Sequence, residues 1–435
     1  MSERRPIGVI GVGWVGLVTA ACFAELGHTV IARDIVAEKI ESLSRGEKTI
    51  HEPGLDDLLA ANRDRIAFTT KVGDVLEAAQ VIFVCVDTPP TYSGDADLGR
   101  VMSVVEDVRG DSSHVLAMKS TVPVGTGRKI QQGLTGTTYV SCPEFLREGS
   151  AVEDFMHPDR VVIGADPGHE QGADLVQSLY EPLGGELVRT DVASAEMIKL
   201  AANTFLATKI SFINEIANVC EEVGADVSEV SRGMGLDDRI GPRFLQAGIG
   251  FGGSCFGKDV SALRKLAANT GYHFQLLNAV VEVNELQKRR VVRKLRHHLG
   301  SLVGRKVALL GLSFKPDTDD MRDAASLVLA ARLEGEGVDV RGYDPVAEKR
   351  ARELLPNVEL RSTALEALDG ADAAVLVTEW PEFAELDWNE AARRMEHPLI
   401  VDGRNFLDPE QLRAAGFVYE GIGRMASNGP VQPDD

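Results

Sequence analysis

Residues 7–16 read IGVIGVGWVG, a short apolar run with a glycine-rich turn directly behind it. The apolar run predicts a buried strand at 7–10, and the residues after the turn predict a helix that ends near Leu26. Glycines stand at 11, 13 and 16, and the next predicted strand, HTVIARD, ends at Asp34, 23 residues beyond Gly11. This order of strand, turn, helix and acidic residue is typical of a dinucleotide-binding unit.

Each part of this unit has an expected task. Gly11 permits the tight turn, Gly13 lets a pyrophosphate approach the backbone, and Gly16 lets the helix pack on the strand. The free N–H groups at the helix start attract the phosphates. Asp34 is expected to accept hydrogen bonds from a ribose 2′-hydroxyl, which favours NAD, although Arg33 beside it leaves NADP open. A tight turn without a ligand is the plainer alternative.

The same alternation of strand and helix continues along the first part of the chain. Apolar runs recur at 81–86, 114–120, 137–142 and 160–164, with helix-like segments between them. This alternation predicts a parallel sheet covered by helices on both faces.

A helical middle and a second α/β half follow. Apolar residues recur at helical spacing from 194 to about 222, and a second helical stretch is predicted from about 259 to 298. After Gly304 the opening pattern returns, since KVALLG at 306–311 precedes a helix and VDVRGYD at 338–344. We therefore predict an α/β fold of two Rossmann-like doubly wound domains joined by a long central helix and a helical dimerisation segment, divided as 1–193, 194–300 and 301–424, with a flexible tail at 425–435.

Composition limits the partners. The 435 residues, 26% charged and 44% hydrophobic, are ordinary for a globular protein of two or three domains. The formal net charge of −20 argues against nucleic acid or an acidic membrane as the main partner, so local lysines and arginines must meet any anionic ligand. No apolar run is long enough to span a bilayer, and the glycine spacing explains the start of the chain better than a secretion signal does.

The cysteines and histidines narrow the chemistry further. The five cysteines (22, 85, 142, 220 and 255) lack CxxC or CxxH spacing, which indicates a reduced, cytoplasmic protein without a disulfide or zinc framework. The nine histidines show no metal-ligand spacing and no Ser-His-Asp arrangement. Metal-dependent and serine-hydrolase chemistry therefore have little support.

One cysteine differs from the others in its surroundings. Residues 248–259 read GIGFGGSCFGKD, with glycines at 248, 250, 252 and 253 before Cys255. Lys258 and a helix beginning near Cys255 would favour the thiolate, the form in which cysteine reacts. The glycines are expected to leave room for a substrate to approach the sulfur. A buried structural cysteine in a glycine-rich turn is the alternative, and it is the preferred interpretation for the other four.

Several polar residues are candidates for the same site. Lys199 and Asn203 stand four apart and share one face of the predicted central helix, as part of a polar stripe with Asn214 and Asn218; a solvated face is the alternative. Glu144 and Glu148 are also four apart and could be a base and a second polar contact, or parts of a charged surface turn. Thr121 follows an apolar strand, where ligands of α/β sheets bind; a helix cap is its alternative.

The corresponding turn of the second half lacks the three-glycine pattern. It reads GLSFKPDTDDMRD at 311–323 and carries Lys315 and Arg322, which predicts a different anionic group such as a nucleotide diphosphate. A solvated charged loop is the alternative. An NAD site, a reactive cysteine and a second nucleotide site together suggest the oxidation of a sugar carried on a nucleotide.

Blocks from residue 7 to residue 405 resemble the UDP-glucose/GDP-mannose dehydrogenase family: GVGWVG, HEPGL, DTPP, KSTVPVGT, PEFLREG, KLAANTF, RIGPRFLQAGIGFGGSCFGKD and GLSFKPDTDDMR. The resemblance implies two Rossmann-like domains, a long helix at the core of a homodimer or larger oligomer, and NAD as cofactor. It also implies a four-electron oxidation of a sugar nucleotide, with UDP-glucose favoured. In this reaction Cys255 forms a thiohemiacetal and then a thioester, which water hydrolyses to the uronic acid.

The resemblance also assigns roles to single residues. It implies that Cys255 is the nucleophile and that Lys199, assisted by Asn203, stabilises the alkoxide or relays its proton. It also implies that Asp259 orients the lysine and a water molecule, which Thr121 helps to hold. Glu144 is implied to be the base for hydrolysis. Cofactor positions are Gly11, Val12, Gly13, Gly16, Asp34, Lys39, Thr88, Thr121, Glu148, Lys258 and Arg322. Substrate positions are Phe145, Leu146, Arg147, Lys199, Asn203, Phe244, Leu245, Gln246, Gly248, Gly252, Phe314, Lys315 and Arg404, with Arg239 reaching the substrate of the neighbouring subunit.

The chain departs from the family pattern in two places. Gly257 stands where Pro or Gln is common, and Cys142 replaces a more usual Asn or Ser. Phe256 after GGSC favours UDP-glucose over GDP-mannose, although dTDP-glucose and GDP-mannose stay open as substrates. A two-electron hydroxy-acid dehydrogenase and a non-enzymatic NAD-sensing protein are the remaining alternatives.

Overall fold

The computed structural model describes residues 6–47, 49–92, 94–108 and 113–424. The predicted flexible tail at 425–435 lies outside these residues. The chain divides into two compact units: the first extends to Ala202 and adds Ser261–Tyr272, and the second comprises Asn203–Val260 and the chain from His273 onward.

The first unit is built on an eight-stranded sheet in the order β3-β2-β1-β4-β5-β6-β7-β8. Its strands are β1 (Ile7–Ile10), β2 (Val30–Arg33), β3 (Ile66–Thr69), β4 (Val81–Val84), β5 (Val115–Met118), β6 (Thr138–Ser141), β7 (Arg160–Gly164) and β8 (Glu186–Thr190). The order reverses at β1 and β4, whose registers pair Ile7 with Val30 on one side and Val81 on the other. The carboxyl ends of these strands define the crevice in which doubly wound folds bind ligands.

The prediction of an entirely parallel sheet is wrong at β7. β1 to β6 pair in parallel, but β6 and β7 are antiparallel, with Ser141 opposite Gly164, and β8 is parallel to β7. The apolar run RVVIG indicates a strand that is buried on both faces. It does not indicate the direction of that strand, because burial is the same in either direction. The edge strands β3 and β8 were not predicted because they are partly exposed and lack a continuous apolar run.

Helices cover this sheet, and short 3₁₀ turns lie at Arg63–Arg65 and Glu181–Leu183. The helices are α1 (Trp14–Glu25), α2 (Ala37–Arg45), α3 (Leu55–Ala61), α4 (Val72–Ala78), α5 (Gly99–Val108), α6 (Thr126–Gly133), α7 (Ala151–Met156) and α8 (Glu170–Tyr180). One core cluster packs α1 against β1, β2 and β4, and a second packs α5 against β4 and β5. Phe23, fully buried, lies at the centre of the first cluster against Phe83, Phe155 and Tyr180.

A single long helix, α9 (Val192–Val223), follows β8, which confirms the central helix predicted at 194–222. The boundary between the two units falls inside this helix, after Ala202.

The second unit contains a six-stranded parallel sheet in the order β11-β10-β9-β12-β13-β14. Its strands are β9 (Lys306–Leu310), β10 (Asp339–Tyr343), β11 (Glu359–Leu360), β12 (Ala373–Leu376), β13 (Leu399–Asp402) and β14 (Val418–Glu420). The later helices are α10 (Val227–Gly235), α11 (Phe256–Asn269), α12 (Gln275–Leu299), α13 (Ala325–Gly335), α14 (Glu348–Leu354), α15 (Ala364–Leu368), α16 (Pro381–Ala384), α17 (Trp388–Arg394) and α18 (Pro409–Ala414). Two α/β domains, whose sheets are parallel except between β6 and β7, are joined by a long helix, which confirms the predicted fold class.

The second helical stretch, predicted as continuous over 259–298, is two helices. α11 ends at Asn269 and α12 begins at Gln275. Gly271 between them has φ +82°, in the left-handed region that stops a helix. The apolar spacing continues through this break, so periodicity alone did not reveal it.

Candidate active site

The glycine turn between β1 and α1 has the geometry that a dinucleotide requires. Gly11 has φ +94°, and a Cβ there would lie 2.8 Å from the Cys85 backbone. A Cβ at Gly16 would collide with the Gly11 carbonyl oxygen, whereas one at Gly13 would find only Asp87 Oδ1, at 3.8 Å. Gly11 and Gly16 are therefore demanded by the turn and by packing, and Gly13 leaves the open space that a pyrophosphate needs. This cradle fits NAD.

Asp34 lies at the end of β2 beside this turn. Its carboxylate accepts hydrogen bonds from Val12 N (2.9 Å) and Val36 N (3.1 Å), and Lys39 Nζ lies 3.0 Å from Oδ2. Burial raises the pKa of Asp34, but the hydrogen bonds from Val36, Lys39 and Val12 outweigh it and lower the pKa below its ordinary value. Asp34 is therefore an ionised acceptor at the expected ribose position.

Thr88 and Thr121 follow β4 and β5, whose carboxyl ends meet at the same edge of the sheet. The Thr88 hydroxyl donates to the Thr121 carbonyl at 2.8 Å and is buried, while Thr121 itself is half-buried. This bond fixes the two loops to each other, so the Thr121 side chain projects from a rigid backbone.

Glu144 and Lys199 form a buried ion pair. Lys199 Nζ lies 2.8 Å from Glu144 Oε1, and both side chains are less than 10% exposed. Leu146 N donates to Glu144 Oε2 at 2.7 Å. Burial raises the pKa of Glu144, but Lys199, the Leu146 N–H and Lys119 together lower it below its ordinary value. The first unit thus holds a fixed charge pair, one member of which is on α9.

The backbone around Glu144 is not helical. Residues 142–147 have no regular structure, so the four-residue spacing of Glu144 and Glu148 does not place them on one helix face. Phe145, next to Glu144, has its ring 4.0 Å from the Arg160 guanidinium and 5.5 Å from Lys199 Nζ. The predicted substrate residue Arg147 is exposed and forms an ion pair with Asp154 at 2.5 Å.

Glu52 is a buried residue in the HEPGL block to which the sequence interpretation assigned no role. It is 2% exposed and accepts hydrogen bonds from Trp14 Nε1 (2.7 Å), Gly149 N (2.8 Å) and Ala151 N (2.8 Å). It therefore ties the start of α1 to the end of the PEFLREG segment. Its partners are 38 to 99 residues away, and no local pattern indicates such contacts.

The second unit holds a chain of hydrogen-bonded polar groups, two of them buried and one half-buried. Asn203 Nδ2 donates to Asp259 Oδ2 at 2.6 Å, and Lys258 Nζ donates to Asp259 Oδ1 at 2.5 Å. Asn203 and Asp259 are 9% and 1% exposed. Lys258, predicted to support a thiolate, thus directs its charge to Asp259.

In the asparagine stripe of α9, Asn203 and Asn214 are buried and Asn218 is half-buried, so the solvated-face alternative is wrong. Asn214 is fully buried and accepts from Gly248 N at 2.8 Å, which anchors the glycine-rich loop. Asn218 donates to Gln287 Oε1 at 3.2 Å. Asparagine has a low helix propensity, and the hydrogen bonds of these amides to other parts of the chain offset that cost.

Cys255 lies at the start of α11 and is partly exposed. Its carbonyl accepts the helix bond from Asp259 N at 2.9 Å, and the Ser254 hydroxyl lies 3.6 Å from the sulfur. The other four cysteines are buried. Burial raises the pKa of Cys22 and Cys85 to about 12 and also raises the pKa of Cys142 and Cys220. The prediction that these four are structural agrees with their burial, which leaves Cys255 as the accessible thiol.

The glycines before Cys255 serve packing rather than the open approach that was predicted. A Cβ at Gly252 would collide with the Asp323 carbonyl, and one at Gly253 would lie 2.7 Å from the Phe314 ring. At Gly248 it would meet the Gly403 carbonyl at 2.7 Å, and at Gly250 the Asn284 amide oxygen at 2.5 Å. The loop therefore packs tightly against its own unit along its length. Glycine is required at these four positions because the close contacts leave no room for a Cβ.

Arg404 holds three loops of the second unit together. Its guanidinium donates to the carbonyls of Val377 (2.7 Å), Gly250 (2.9 Å) and Phe314 (3.4 Å). Gly253 N donates to the Arg322 carbonyl at 2.8 Å, so the predicted residues Phe314, Arg322 and Arg404 converge on the glycine-rich loop. Lys315 Nζ lies 5.4 Å from the Phe314 ring centre. The Arg322 side chain forms an ion pair with Asp320 at 2.7 Å.

Left-handed backbone at non-glycine residues marks the same region. Among the described residues, positive φ occurs at Phe244 (66°), Asp317 (60°), Asp323 (51°) and Asn405 (53°). All four lie in or next to segments predicted to bind substrate. Such conformations cost free energy, and they concentrate at ligand sites.

The remaining predicted substrate residues differ in access. Leu245 is 2% exposed and packs into the core of the second unit, whereas Gln246 is exposed. Arg239 is exposed and forms an ion pair with Asp237 at 2.6 Å. Gln246 and Arg239 can meet a ligand through their side chains, and Leu245 only through its backbone.

Asp344 is the counterpart of Asp34 in the second half, but its carboxylate is fully occupied. It accepts from the N–H groups of Leu312 (2.7 Å), Val346 (2.9 Å) and Ala347 (2.7 Å), and from Trp380 Nε1 (3.2 Å). In both halves, the aspartate at the end of the second strand thus accepts a hydrogen bond from the turn that follows the first strand. In the second half this aspartate holds the fold.

The described part of the chain contains no group of three or more side chains suited to a metal ion. Within the same residues, no helix combines the length and apolar character that crossing a membrane requires.

Comparison with known protein families covers most of the chain. Residues 5–184 match the NAD binding domain of the UDP-glucose/GDP-mannose dehydrogenase family, 193–286 its central domain, and 308–409 its UDP binding domain. The chain therefore belongs to the UDP-glucose/GDP-mannose dehydrogenase family. The predicted family and the predicted NAD cofactor are confirmed.

Individual relatives are similar over nearly their whole length. UDP-glucose 6-dehydrogenase TuaD of Bacillus subtilis is 44% identical over 443 residues, covering 99% of this chain and 95% of the relative. UDP-glucose 6-dehydrogenase of Pseudomonas aeruginosa is 44% identical over 440 residues, covering 96% and 97%. The solved UDP-glucose dehydrogenase of Pyrobaculum islandicum superimposes with a TM-score of 0.89 at 36% identity, covering 98% of this chain and 99% of that one.

Proposed function

We propose that this protein is a cytoplasmic, NAD-dependent UDP-glucose 6-dehydrogenase that oxidises UDP-glucose to UDP-glucuronate and yields two NADH per substrate. Full-length relatives at 44% identity carry that name. The observation that carries the mechanism is that Cys255 is the accessible thiol among five and lies at a helix N-terminus on a tightly packed loop.

The residues of the glycine turn would hold the cofactor. Gly11 and Val12 would form the turn beneath the pyrophosphate, and Gly13 would leave space for it at the N-terminus of α1. The ionised Asp34 would accept from the ribose hydroxyls, with Lys39 beside it. Bound NAD supplies the acceptor for the hydride that leaves the sugar C6 in each of the two oxidations. The remaining cofactor positions proposed are Gly16, Thr88, Thr121, Glu148, Lys258 and Arg322.

Cys255 would connect the two oxidations. Its sulfur adds to the C6 aldehyde carbon and gives a thiohemiacetal, and after the second oxidation the same sulfur carries the acyl group as a thioester. Because the carbon stays bonded to the protein, no reactive aldehyde is released. The N-terminus of α11, where Cys255 lies, favours the thiolate that this addition requires.

Lys199 and Glu144 would handle protons. Lys199 donates to the alkoxide that develops at C6, and the ionised Glu144 accepts a proton from the water that attacks the thioester. Asn203 and Asp259, held together at 2.6 Å, would position the reacting oxygen and water, with Thr121 as a further contact. The buried pair of Glu144 and Lys199 supports this assignment, since each charge holds the other in a fixed position.

The sugar nucleotide would be bound mainly by loops of the second unit. The proposed residues are Phe145, Leu146, Arg147, Lys199, Asn203, Phe244, Leu245, Gln246, Gly248, Gly252, Phe314, Lys315 and Arg404, together with Arg239 acting on a neighbouring subunit. Arg404 supports this proposal because its bonds to Gly250, Phe314 and Val377 set the shape of these loops.

We also propose a homodimer or a larger oligomer, with domains at 1–193, 194–300 and 301–424. Apolar side chains lie exposed along α9 at intervals of seven residues: Phe205 is 65% exposed, Phe212 48% and Val219 55%. Seven residues are close to two helical turns, so these side chains form one stripe. An exposed apolar stripe of this kind is typical of a subunit contact.

The test is the NADH yield with each of four substrates: UDP-glucose, dTDP-glucose, GDP-mannose and UDP-N-acetylglucosamine. We expect two NADH per UDP-glucose and the highest kcat/KM for that substrate. Cys255→Ala should abolish the four-electron turnover while UDP-glucose still binds in calorimetry. The matched control is Cys220→Ala, which removes a buried thiol and should retain the two-NADH yield.

Two results would contradict the proposal. Full turnover by Cys255→Ala would exclude the covalent intermediate, and a yield of one NADH would indicate a two-electron dehydrogenase. A preference for another sugar nucleotide, with Cys255 still required, would keep the mechanism and correct the substrate.

A further inference from the structure

The second unit contains a cavity of about 850 Å³ that the proposed reaction does not use. Its walls come from α9, α12 and α13, with Asn218, Gln287 and Leu286 among the lining residues. None of the residues proposed to bind NAD or the sugar nucleotide lines it. The volume is in the range of pockets that hold nucleotide-sized ligands.

The wall of this cavity is cationic, although the chain carries a net charge of −20. Five arginines line it, at positions 289, 290, 293, 296 and 332, against two glutamates, Glu215 and Glu336. Arg290 forms an ion pair with Glu221, and Arg296 with Glu336. Arg289 and Arg332 have no ion-pair partner within the described residues, and Arg293 reaches Glu221 only at 3.9 Å. Three guanidinium groups are thus available for an anion.

Buried polar atoms at the same cavity point to a ligand independently of charge. Gln287 is 1% exposed, and its Nε2 has no hydrogen-bond partner in the part of the chain that the structure describes. The same holds for Arg290 Nε, a second donor, and for Asn218 Oδ1, an acceptor. Buried donors and acceptors in folded proteins are nearly always paired, so three unpaired atoms on residues that line one cavity need an explanation.

We propose that this cavity binds a small polyanion of nucleotide size that carries phosphoryl groups. Arginine is the side chain best suited to phosphate, since its planar fork donates two parallel hydrogen bonds to two oxygens. The two unpaired donors add to this preference for an anion, and the Asn218 oxygen would accept from a hydroxyl or amino group of the ligand. The apolar Val283, Val292 and Leu286 offer the ligand a non-polar surface.

The probe for this proposal is sodium tripolyphosphate, measured by calorimetry at constant ionic strength. Saturating UDP and NADH are present, so that phosphate sites of the proposed reaction are filled. We expect one site per chain, with sulfate at equal ionic strength unable to replace the probe. Arg289→Ala with Arg332→Ala should weaken binding about a hundredfold, because each of the two lost charge-assisted bonds is worth about tenfold.

The control removes two exposed arginines elsewhere in the second unit, Arg352→Ala with Arg393→Ala, and should bind tripolyphosphate as the unaltered chain does. Absence of one-site binding by the unaltered chain, equal affinity in all three proteins, or an equal loss in the control would overturn the proposal. Sedimentation velocity tests the alternative that a second copy of this chain covers the cavity. If the Arg289 and Arg332 variant dissociates into monomers and the unaltered chain binds no tripolyphosphate, the cavity is a subunit contact and the proposal is wrong.

Discussion

The five cysteines of this chain differ in burial: four are buried and Cys255 is partly exposed. Cys85 and Cys142 lie at strand ends in the first unit, inside a core where burial outweighs the opposing effect of the Lys119 charge. Burial raises the pKa of both, so both stay protonated and unreactive at neutral pH. Cys255 is partly exposed at a helix N-terminus, the position that stabilises a thiolate.

This contrast predicts selective alkylation. At pH 7.5, iodoacetamide should modify Cys255 first and leave the other four cysteines unmodified in the folded protein. Peptide mass spectrometry measures the modified position, and Cys255→Ser should remove the fast phase. Early modification of Cys85 or Cys142 would contradict the assignment of a single accessible thiol.

Glu196, on α9, shows how burial can raise the pKa of a carboxyl at a helix start. It is 3% exposed and accepts hydrogen bonds from Gly125 N and Gly127 N, both at 2.7 Å, where α6 begins. Burial raises its pKa from 4.5 to about 7, against the opposing effect of the two N–H donors. The folded protein therefore binds the proton more tightly than the unfolded chain does. The stability from this proton is complete below pH 4.5 and is lost as the pH rises through about 7.

Glu196→Gln should remove this pH dependence. Between pH 4.5 and 7 the free energy of unfolding of the unaltered protein should fall relative to that of the variant, by at most about 3 kcal/mol. Thermal unfolding across this range measures the difference. The control is Glu186→Gln, an exposed glutamate on β8, which should show no such trend. A constant difference between Glu196→Gln and the unaltered protein would contradict the raised pKa.

At the scale of elements, the loop before Cys255 is rigid because its backbone lies against neighbouring backbone. Gly252 faces the Asp323 carbonyl, and Gly248 faces the Gly403 carbonyl. Arg404 adds hydrogen bonds to the same loop. The position of the sulfur is therefore set by loops that precede α13 and follow β13, far away in sequence.

Two glycine substitutions test this packing. Gly252→Ala should destabilise the protein by about 1–3 kcal/mol, because the new methyl group collides with backbone that cannot move away cheaply. Gly233→Ala is the control: nothing lies within 4 Å of its Cβ position in α10, so it should stabilise by about 0.5–1 kcal/mol through helix propensity. Melting temperatures measure both changes. Equal effects would contradict the packing assigned to Gly252.

At the scale of the whole molecule, α9 has two uses. One part of its surface is buried within the chain, where Asn214 and Ala217 are fully buried. Another part exposes the stripe of Phe205, Phe212 and Val219. A helix buried on one side and apolar on its exposed side is stable in water when a second surface covers it.

The proposed dimer makes this stripe the subunit contact. Phe212→Glu should shift the protein toward monomer in sedimentation velocity, because a charge would be buried in an apolar contact. The matched control is Val303→Glu, since Val303 is 75% exposed outside the helix and should leave the oligomer unchanged. An unaltered oligomer in Phe212→Glu would place the contact elsewhere.

The sequence alone determined the class of fold, the cofactor turn and the candidate nucleophile. Gly11, Gly16 and the strand before them lie in one short stretch of sequence, so a local pattern is sufficient to predict the turn. The recurring apolar runs likewise indicate buried strands without information from distant residues. Only the tertiary structure decided the reversed direction of β7, the pair of Glu144 and Lys199, and the packing task of the glycines before Cys255. These features depend on contacts between residues far apart in the chain, and no local pattern specifies which surfaces meet.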